Sequence, residues 1–314
     1  MDIGTVTIIG APMSRGQRKH GTSLGPTLLR QRRLRQILNS CGLNVKDSGD
    51  INMIMDTAYL TTNKKFVNGE MIGLSCEQLS KVVSKTLEDG DFPLIIGGDH
   101  SLSIGSIAGV LKKFPDIGII WLDAHTDINT PITSPSGNVH GMPLAVLGGI
   151  AKQQMGGAQS FFNWLYLNYP NPIDLSKRLV YIGVRDIDPG EKDTIEKYNI
   201  PTFTMETIDT IGIEETMRQA FTHLNQNGKH VHVSLDIDVM DPSEAPSTGT
   251  LVENGLSKEQ MTHIINFIKN TEQIVSLEVV EINPMLGGSE KNVIKTADLA
   301  NSIIKTLFSP LEST

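Results

Sequence analysis

The sequence predicts an α/β protein, folded as one domain around a largely parallel sheet that helices cover on both faces. Three observations predict it. Short apolar runs alternate with amphipathic helical patterns along the whole chain of 314 residues. No internal repeat, low-complexity linker or compositional break divides the sequence into parts. Hydrophobic residues make up 39%, enough for a substantial core, and large α/β domains reach this length.

Residues 1–10 read as the first strand, and 11–16 as a loop. Gly25 and Pro26 open a helix, since proline suits the first turn. Leu34, Ile37, Leu38 and Cys41 carry its helical spacing on, and Gly42 is placed to end it. Residues 52–69 are polar and irregular, which predicts a surface excursion. Leu79, Val82, Val83 and Leu87 mark a second helix; 92–96 form a strand, and 97–101 a tight turn after it. The apolar run 117–122 is a buried strand followed by a long loop, 128–143. Residues 149–172 have no clear period but hold Phe161, Phe162, Trp164, Tyr166 and Tyr169, a dense aromatic patch whose default place is the local core. Residues 178–183 form a strand, Met217, Ala220, Phe221 and Leu224 mark a helix, and 230–235 form another strand. Ser257 is placed as an N-cap, with Gln260 completing a capping box and Leu256 and Met261 a hydrophobic staple. Met261, Ile264, Ile265 and Ile268 give that helix its buried stripe; 274–280 form the last strand, and Val293, Ala297, Ala300, Ile304 and Leu307 the final helix.

Composition excludes several classes of function. The formal net charge of −8 is the wrong sign for a DNA or RNA footprint, although it suits a cationic small substrate. No run approaches the ~20 apolar residues of a membrane span, and the N-terminus lacks the basic flank of a signal peptide. Cys41 and Cys76 are isolated and form no metal or redox motif, which predicts a reducing, cytoplasmic setting.

Chemistry concentrates where strands end. Asp123, His125 and Asp127 follow the 117–122 strand at every second position, and in an extended segment such residues share one side. Burying two carboxylates and an imidazole together is costly, and a cation removes the conflict. His100, the pair Asp236 and Asp238, and Glu281 stand at three further strand ends. In open α/β sheets, ligands bind at that edge. Four aspartates bring four negative charges, which two divalent cations would balance, with His100 and His125 as neutral donors. Oxygen-rich ligands with imidazole and no thiolate make manganese the first choice and leave zinc, cobalt and iron compatible. Two such ions ~3.5–4 Å apart ionise water near neutral pH and stabilise the charge that develops on attack. Singly, each of these acids is an ordinary turn or N-cap residue and His100 a satisfied core histidine; together they point to metal-assisted hydrolysis.

The segments Gly97-Gly-Asp-His100-Ser, Asp123-Ala-His-Thr-Asp127-Ile-Asn129, Ser136-Gly-Asn138-Val-His140-Gly and Ser234-Leu-Asp236-Ile-Asp238 resemble those of the ureohydrolase family in order and spacing, and within it the arginases. The match runs from Gly10-Ala-Pro to Glu281-Ile-Asn-Pro284, nearly the whole chain. The resemblance implies a single three-layer α/β/α domain over 1–314, with a mostly parallel sheet of about eight strands. It implies two Mn2+ ions per subunit and hydrolysis of L-arginine to L-ornithine and urea by a hydroxide held between them. His100, Asp123, Asp127 and Asp236 would hold one ion, and Asp123, His125, Asp236 and Asp238 the other. His140, Glu281 and Asp127 are marked as catalytic: Glu281 to pair with the guanidinium, His140 to deliver a proton to the leaving amine. Asn129, Ser134, Ser136 and Asn138 would engage the α-carboxylate, Asp188 and Asp186 the α-ammonium, and Thr250 the neighbourhood of the guanidinium acid. A homotrimer or hexamer in the cytoplasm, serving arginine metabolism and the urea cycle, is also implied. Agmatinase or another guanidine hydrolase, a deacetylase-type metal amidohydrolase and a metal-free regulatory relative remain open alternatives.

Overall fold

The computed structural model describes residues 4–54, 63–226 and 228–310. The chain runs through β1 (Thr5–Ala11), α1 (Gly25–Gln31), α2 (Leu34–Ser40), β2 (Asn44–Asp50), α3 (Gly69–Glu88), β3 (Phe92–Gly97), α4 (Ser103–Leu111) and β4 (Gly118–Leu122). It continues through α5 (Pro143–Leu147), α6 (Asn163–Asn168), α7 (Leu175–Arg178), β5 (Leu179–Val184), α8 (Pro189–Tyr198), β6 (Thr202–Thr204), α9 (Met205–Ile211) and α10 (Ile213–Asn225). The last elements are β7 (Val231–Asp236), α11 (Lys258–Thr271), β8 (Ile274–Val280) and α12 (Glu290–Phe308).

Among the described residues, all eight strands pair in parallel, in the order β2-β1-β3-β8-β7-β4-β5-β6. Side chains alternate across the sheet, and both faces are apolar. Ile8, Leu94, Ile96 and Ile120 enter one core with α1, α2 and α9 to α12; Ile9, Ile95, Ile119 and Trp121 enter the other with α3 to α7. This two-sided burial is why the central strands read as unbroken apolar runs. The chain builds β1 to β3 on one side of the sheet, crosses to β4, and returns to lay β7 and β8 between them. The crevice above β3, β8, β7 and β4 is therefore where strand order reverses, the usual place for a ligand in such sheets.

Several sequence expectations need correction. The helix expected from Gly25 to Cys41 is two helices, broken at Arg33, which takes a left-handed backbone (φ 65°). The tight turn expected at 97–101 instead starts a helical run, with Asp99 capping a 3-10 turn that leads into α4. Strands β2 and β6 were not expected from local pattern, because both are edges: β2 buries only Val45 fully, and β6 has three residues. Within the surface excursion expected at 52–69, residues 55–62 lie outside the described residues, while Met53 and Phe66 are buried. The aromatic patch is core: Phe162 and Tyr166 are buried, and the Trp164 indole donates to Gly73 O at 3.0 Å. The capping box forms as expected, Ser257 Oγ accepting from Gln260 N at 3.2 Å and Gln260 Oε1 from Ser257 N at 2.9 Å. Leu256 and Met261 are buried in the same core. No helix among the described residues is long and apolar enough to cross a membrane.

Candidate active site

Backbone hydrogen bonds fix the floor of the crevice before any functional side chain is placed. Ala11 O accepts from Gly98 N at 2.8 Å, Met13 O from Asp99 N at 3.0 Å, and Gly98 O from Glu281 N at 2.8 Å. The ends of β1, β3 and β8 are thus tied to one another. Gly98 is required by close approach, since a Cβ there would meet Met13 O at 1.8 Å.

On this floor the candidate metal ligands converge. His100 Nδ1 faces Asp127 Oδ2 at 3.0 Å, Asp123 Oδ2 at 3.1 Å and Asp236 Oδ2 at 3.2 Å. His125 Nδ1 faces Asp238 Oδ2 at 3.2 Å and Asp123 Oδ1 at 3.3 Å. Two metal-competent groups result, His100–Asp123–Asp127 and Asp123–His125–Asp238, and they share Asp123. The Trp121 indole donates to Asp123 Oδ2 at 2.9 Å and its ring stacks on His100 at 4.1 Å between centroids. Contrary to expectation, the convergence does not come from strand alternation alone. The strand stops at Leu122, the chain bends, and Asp127 reaches the cluster from a left-handed backbone (φ 48°).

The residues present fit a pair of divalent cations. Asp123, Asp127, Asp236 and Asp238 are all buried, with only two imidazoles among them. Burial raises Asp238 to about 6, with Asp123 adding repulsion and His125 opposing it. Burial and repulsion from Asp238 and Asp123 lift Asp236 well above the usual carboxylate range. Burial opposes the charge of His100, yet its three carboxylate neighbours raise it well above the usual histidine value. His100 Nδ1 is buried without a hydrogen-bond partner, although carboxylate oxygens ring it. Four buried acids beside two imidazoles are short of positive charge, and cations placed between them supply it.

Beside His100, Glu281 also takes a left-handed backbone (φ 63°). Its Oε1 accepts from His100 N at 3.0 Å and lies 3.3 Å from His140 Nδ1, while Oε2 accepts from Gln17 Nε2 at 2.6 Å. Burial raises its carboxyl, but His140 outweighs this and holds it below the usual value. Asn129, Ser134, Ser136, Asn138, Asp186, Asp188 and Thr250 line one cavity with His125, Asp127, His140, Asp236, Asp238 and Glu281. Their states differ. Asp188 caps α8 and accepts from Asn129 Nδ2 at 2.8 Å. Ser134 Oγ accepts from Gly137 N at 3.0 Å, and Ser136 Oγ from Asn138 N at 3.2 Å. Asn138 Oδ1 is buried without a partner, and Asp186 is largely exposed, 3.8 Å from His125 Nε2.

Sequence reading gave no role to Glu191, Asp99 or Gln17. Glu191 lines the cavity, accepts from Ile128 N at 3.1 Å and Asp188 N at 3.1 Å, and is pushed up to about 7 by burial and by Asp127. Its signal was the Asp188-Pro-Gly-Glu191 spacing, a capping box that sequence reading did not take up. Asp99 accepts from Gly16 N at 2.8 Å and anchors the loop that carries Gln17. Asp99 stands inside Gly97-Gly-Asp-His100 and Gln17 ends Ser14-Arg-Gly-Gln17, both segments of the family resemblance, but neither was given a role there.

A parallel sheet with acids and imidazoles converging over its central strands defines the class, an α/β metal-dependent hydrolase. A family model described as "Arginase family" matches residues 4–309. Mitochondrial arginase-2 of Homo sapiens is 38% identical over 307 residues, 98% of this chain and 85% of that protein. The Bacillus caldovelox arginase structure matches with TM-score 0.86 and 35% identity, covering 99% of this chain and 100% of that one. Entamoeba histolytica arginase, solved in complex with L-ornithine, matches with TM-score 0.84 and 30% identity, covering 99% of this chain and 100% of that one. The chain belongs to the arginase family.

Proposed function

We propose that this chain hydrolyses L-arginine to L-ornithine and urea, using two manganese ions held at the ends of the central strands. The observation that carries the reading is a pair of metal-competent groups sharing Asp123 and opening on the cavity that Glu281 and His140 line. His100, Asp123, Asp127 and Asp236 would hold one ion; Asp123, His125, Asp236 and Asp238 would hold the other. When bound, the ions supply Lewis acidity that makes water a competent nucleophile near neutral pH.

The chain's own residues do the aiming. A guanidinium is a poor electrophile because its charge is delocalised, so orientation matters greatly. Glu281 pairs with the guanidinium and fixes its plane, with Gln17 and the backbone of His100 holding the carboxylate. His140, already 3.3 Å from Glu281, delivers a proton to the leaving amine. Asn129, Ser134, Ser136 and Asn138 take the α-carboxylate, directly or through water, and Asp188 with Asp186 takes the α-ammonium. Thr250 lines the same cavity as Glu281 and would border the guanidinium. By the same proposal, the protein acts in arginine metabolism as a cytoplasmic homo-oligomer, a trimer or a hexamer.

The test is urea release by purified protein from L-arginine and from agmatine, with elemental analysis of the same sample. Arginine preferred, with two manganese ions per chain and greater activity than with zinc, cobalt or iron, is the expected result. Preference for agmatine overturns the substrate, and a single bound zinc overturns the two-ion reading. Sedimentation velocity reads the assembly state.

A further inference from the structure

Beneath the site lies a sealed polar network that the proposed chemistry does not use. Glu278 stands on β8 in the middle of the sheet with no exposed surface, as do Ser234 and His232 on β7 and Ser103 and Ser106 on α4. The register puts Ser234 between Trp121 on one side and Glu278 on the other. Glu278 Oε1 accepts from Ser103 Oγ at 2.5 Å and Ser234 Oγ at 2.6 Å, Oε2 accepts from Ser106 Oγ, and His232 Nε2 lies 3.4 Å from Oε1. Ser234 Oγ in turn lies 2.8 Å from His100 Nε2.

The direction of these hydrogen bonds is forced. A serine hydroxyl has one hydrogen. Glu278 takes it, because an ionised carboxylate only accepts; burial opposes that ionisation, but His232 brings the carboxyl down to about 2. The Ser234 oxygen is left to accept, so His100 Nε2 must carry a hydrogen. In the neutral ring, Nδ1 then presents a lone pair toward Asp123, Asp127 and Asp236.

We propose that Glu278 is a positioning residue for the metal centre: acting through Ser234, it fixes the tautomer and orientation of His100 so that Nδ1 is a ready ligand. Partners of this kind, one step behind a metal-binding histidine, set ligand basicity and ring orientation. The proposal rests on the two-ion reading above, and the experiment separates their failures.

Free Mn2+ is followed by electron paramagnetic resonance as metal-depleted protein is titrated, for wild type, Glu278→Gln, Ser234→Ala and the double variant. Thermal melting of the metal-depleted forms checks folding, and Ser234→Ala, a small change at a site making no substrate contact, stands in if Glu278→Gln does not fold. Wild type should bind two ions. Each single variant should weaken one of them by roughly 10–100-fold and leave the other unchanged. The double variant should be no weaker than the weaker single, since both act through one nitrogen. At saturating Mn2+, KM for L-arginine should not move. Binding curves that superimpose on wild type, or losses that add in the double variant, overturn the positioning role while the two-ion reading stands. A wild-type protein that binds no Mn2+ overturns both.

Discussion

Asp127 and Glu281 line the same cavity, and both sit in left-handed backbone, at φ 48° and φ 63°. Such conformations cost of order 1–3 kcal/mol in a residue with a side chain and persist where the surroundings over-determine them. Here Asp127 lies 3.0 Å from His100 Nδ1, and Glu281 is tied through its backbone to Gly98 and through its side chain to Gln17. Asp127→Ala removes one of four acids from a charge-balanced site. We expect it to bind one manganese ion fewer and to lose roughly 10²-fold or more in kcat. Two ions retained on elemental analysis would contradict the assignment. His140 lies outside both ligand groups, so His140→Asn should keep both ions. Its kcat should fall by roughly 10²-fold or more if the ring carries a proton to the leaving group. An unchanged turnover number removes that role.

At the scale of the element, α8 shows how one helix start serves the site. Asp188 caps it, and Glu191 at the third position completes the box. A carboxylate there is normally stabilised by the helix dipole. Burial beneath the Asn129 loop reverses this and, with repulsion from Asp127, raises Glu191 from 4.5 to about 7. The sign follows. Between those two values, the folded metal-free chain keeps a proton that the unfolded chain has released, so stability falls as pH rises and levels off above about 7. At 1.36 kcal/mol per unit, the total is about 3 kcal/mol. Glu191→Gln should remove this slope, whatever constant offset its altered hydrogen bonds add. The check is the difference between wild-type and variant urea-unfolding free energies in chelator across that range; a difference that does not vary with pH sinks the claim. Such a carboxyl is invisible to local pattern. Its sequence signal says helix cap, and only the long-range packing of α8 against the 128–143 loop makes it something else.

Across the whole molecule, what was legible in sequence was what local periodicity controls. The six apolar strands, the α11 cap and its buried stripe follow from side-chain spacing alone. The polar edges β2 and β6 do not, because an edge strand has little apolar face to announce it. The candidate ligands were legible as acids and histidines at strand ends. Their convergence was not, since it depends on β7 and β8 being laid between β3 and β4 and on the bend at Asp127. That topology has a thermodynamic consequence. The ligands come from segments as far apart as His100 and Asp238, at the ends of three strands that come together only in the folded sheet. The unfolded chain cannot assemble them, so metal binding is linked to global folding rather than to a local loop. An ion at a hundredfold over its dissociation constant adds ~2.7 kcal/mol, and two add ~5 kcal/mol. With unfolding entropy near 2.1 cal/mol/K per residue, a chain of 314 residues shifts its Tm by about 1.5 °C per kcal/mol. Calorimetry should therefore show manganese raising the Tm by roughly 8 °C over the chelated protein. Asp127→Ala should keep about half of that shift, and Asp123→Ala, which removes the acid common to both ligand groups, should lose nearly all of it. If Asp123→Ala responds to manganese as wild type does, the ions do not sit where these strand ends converge.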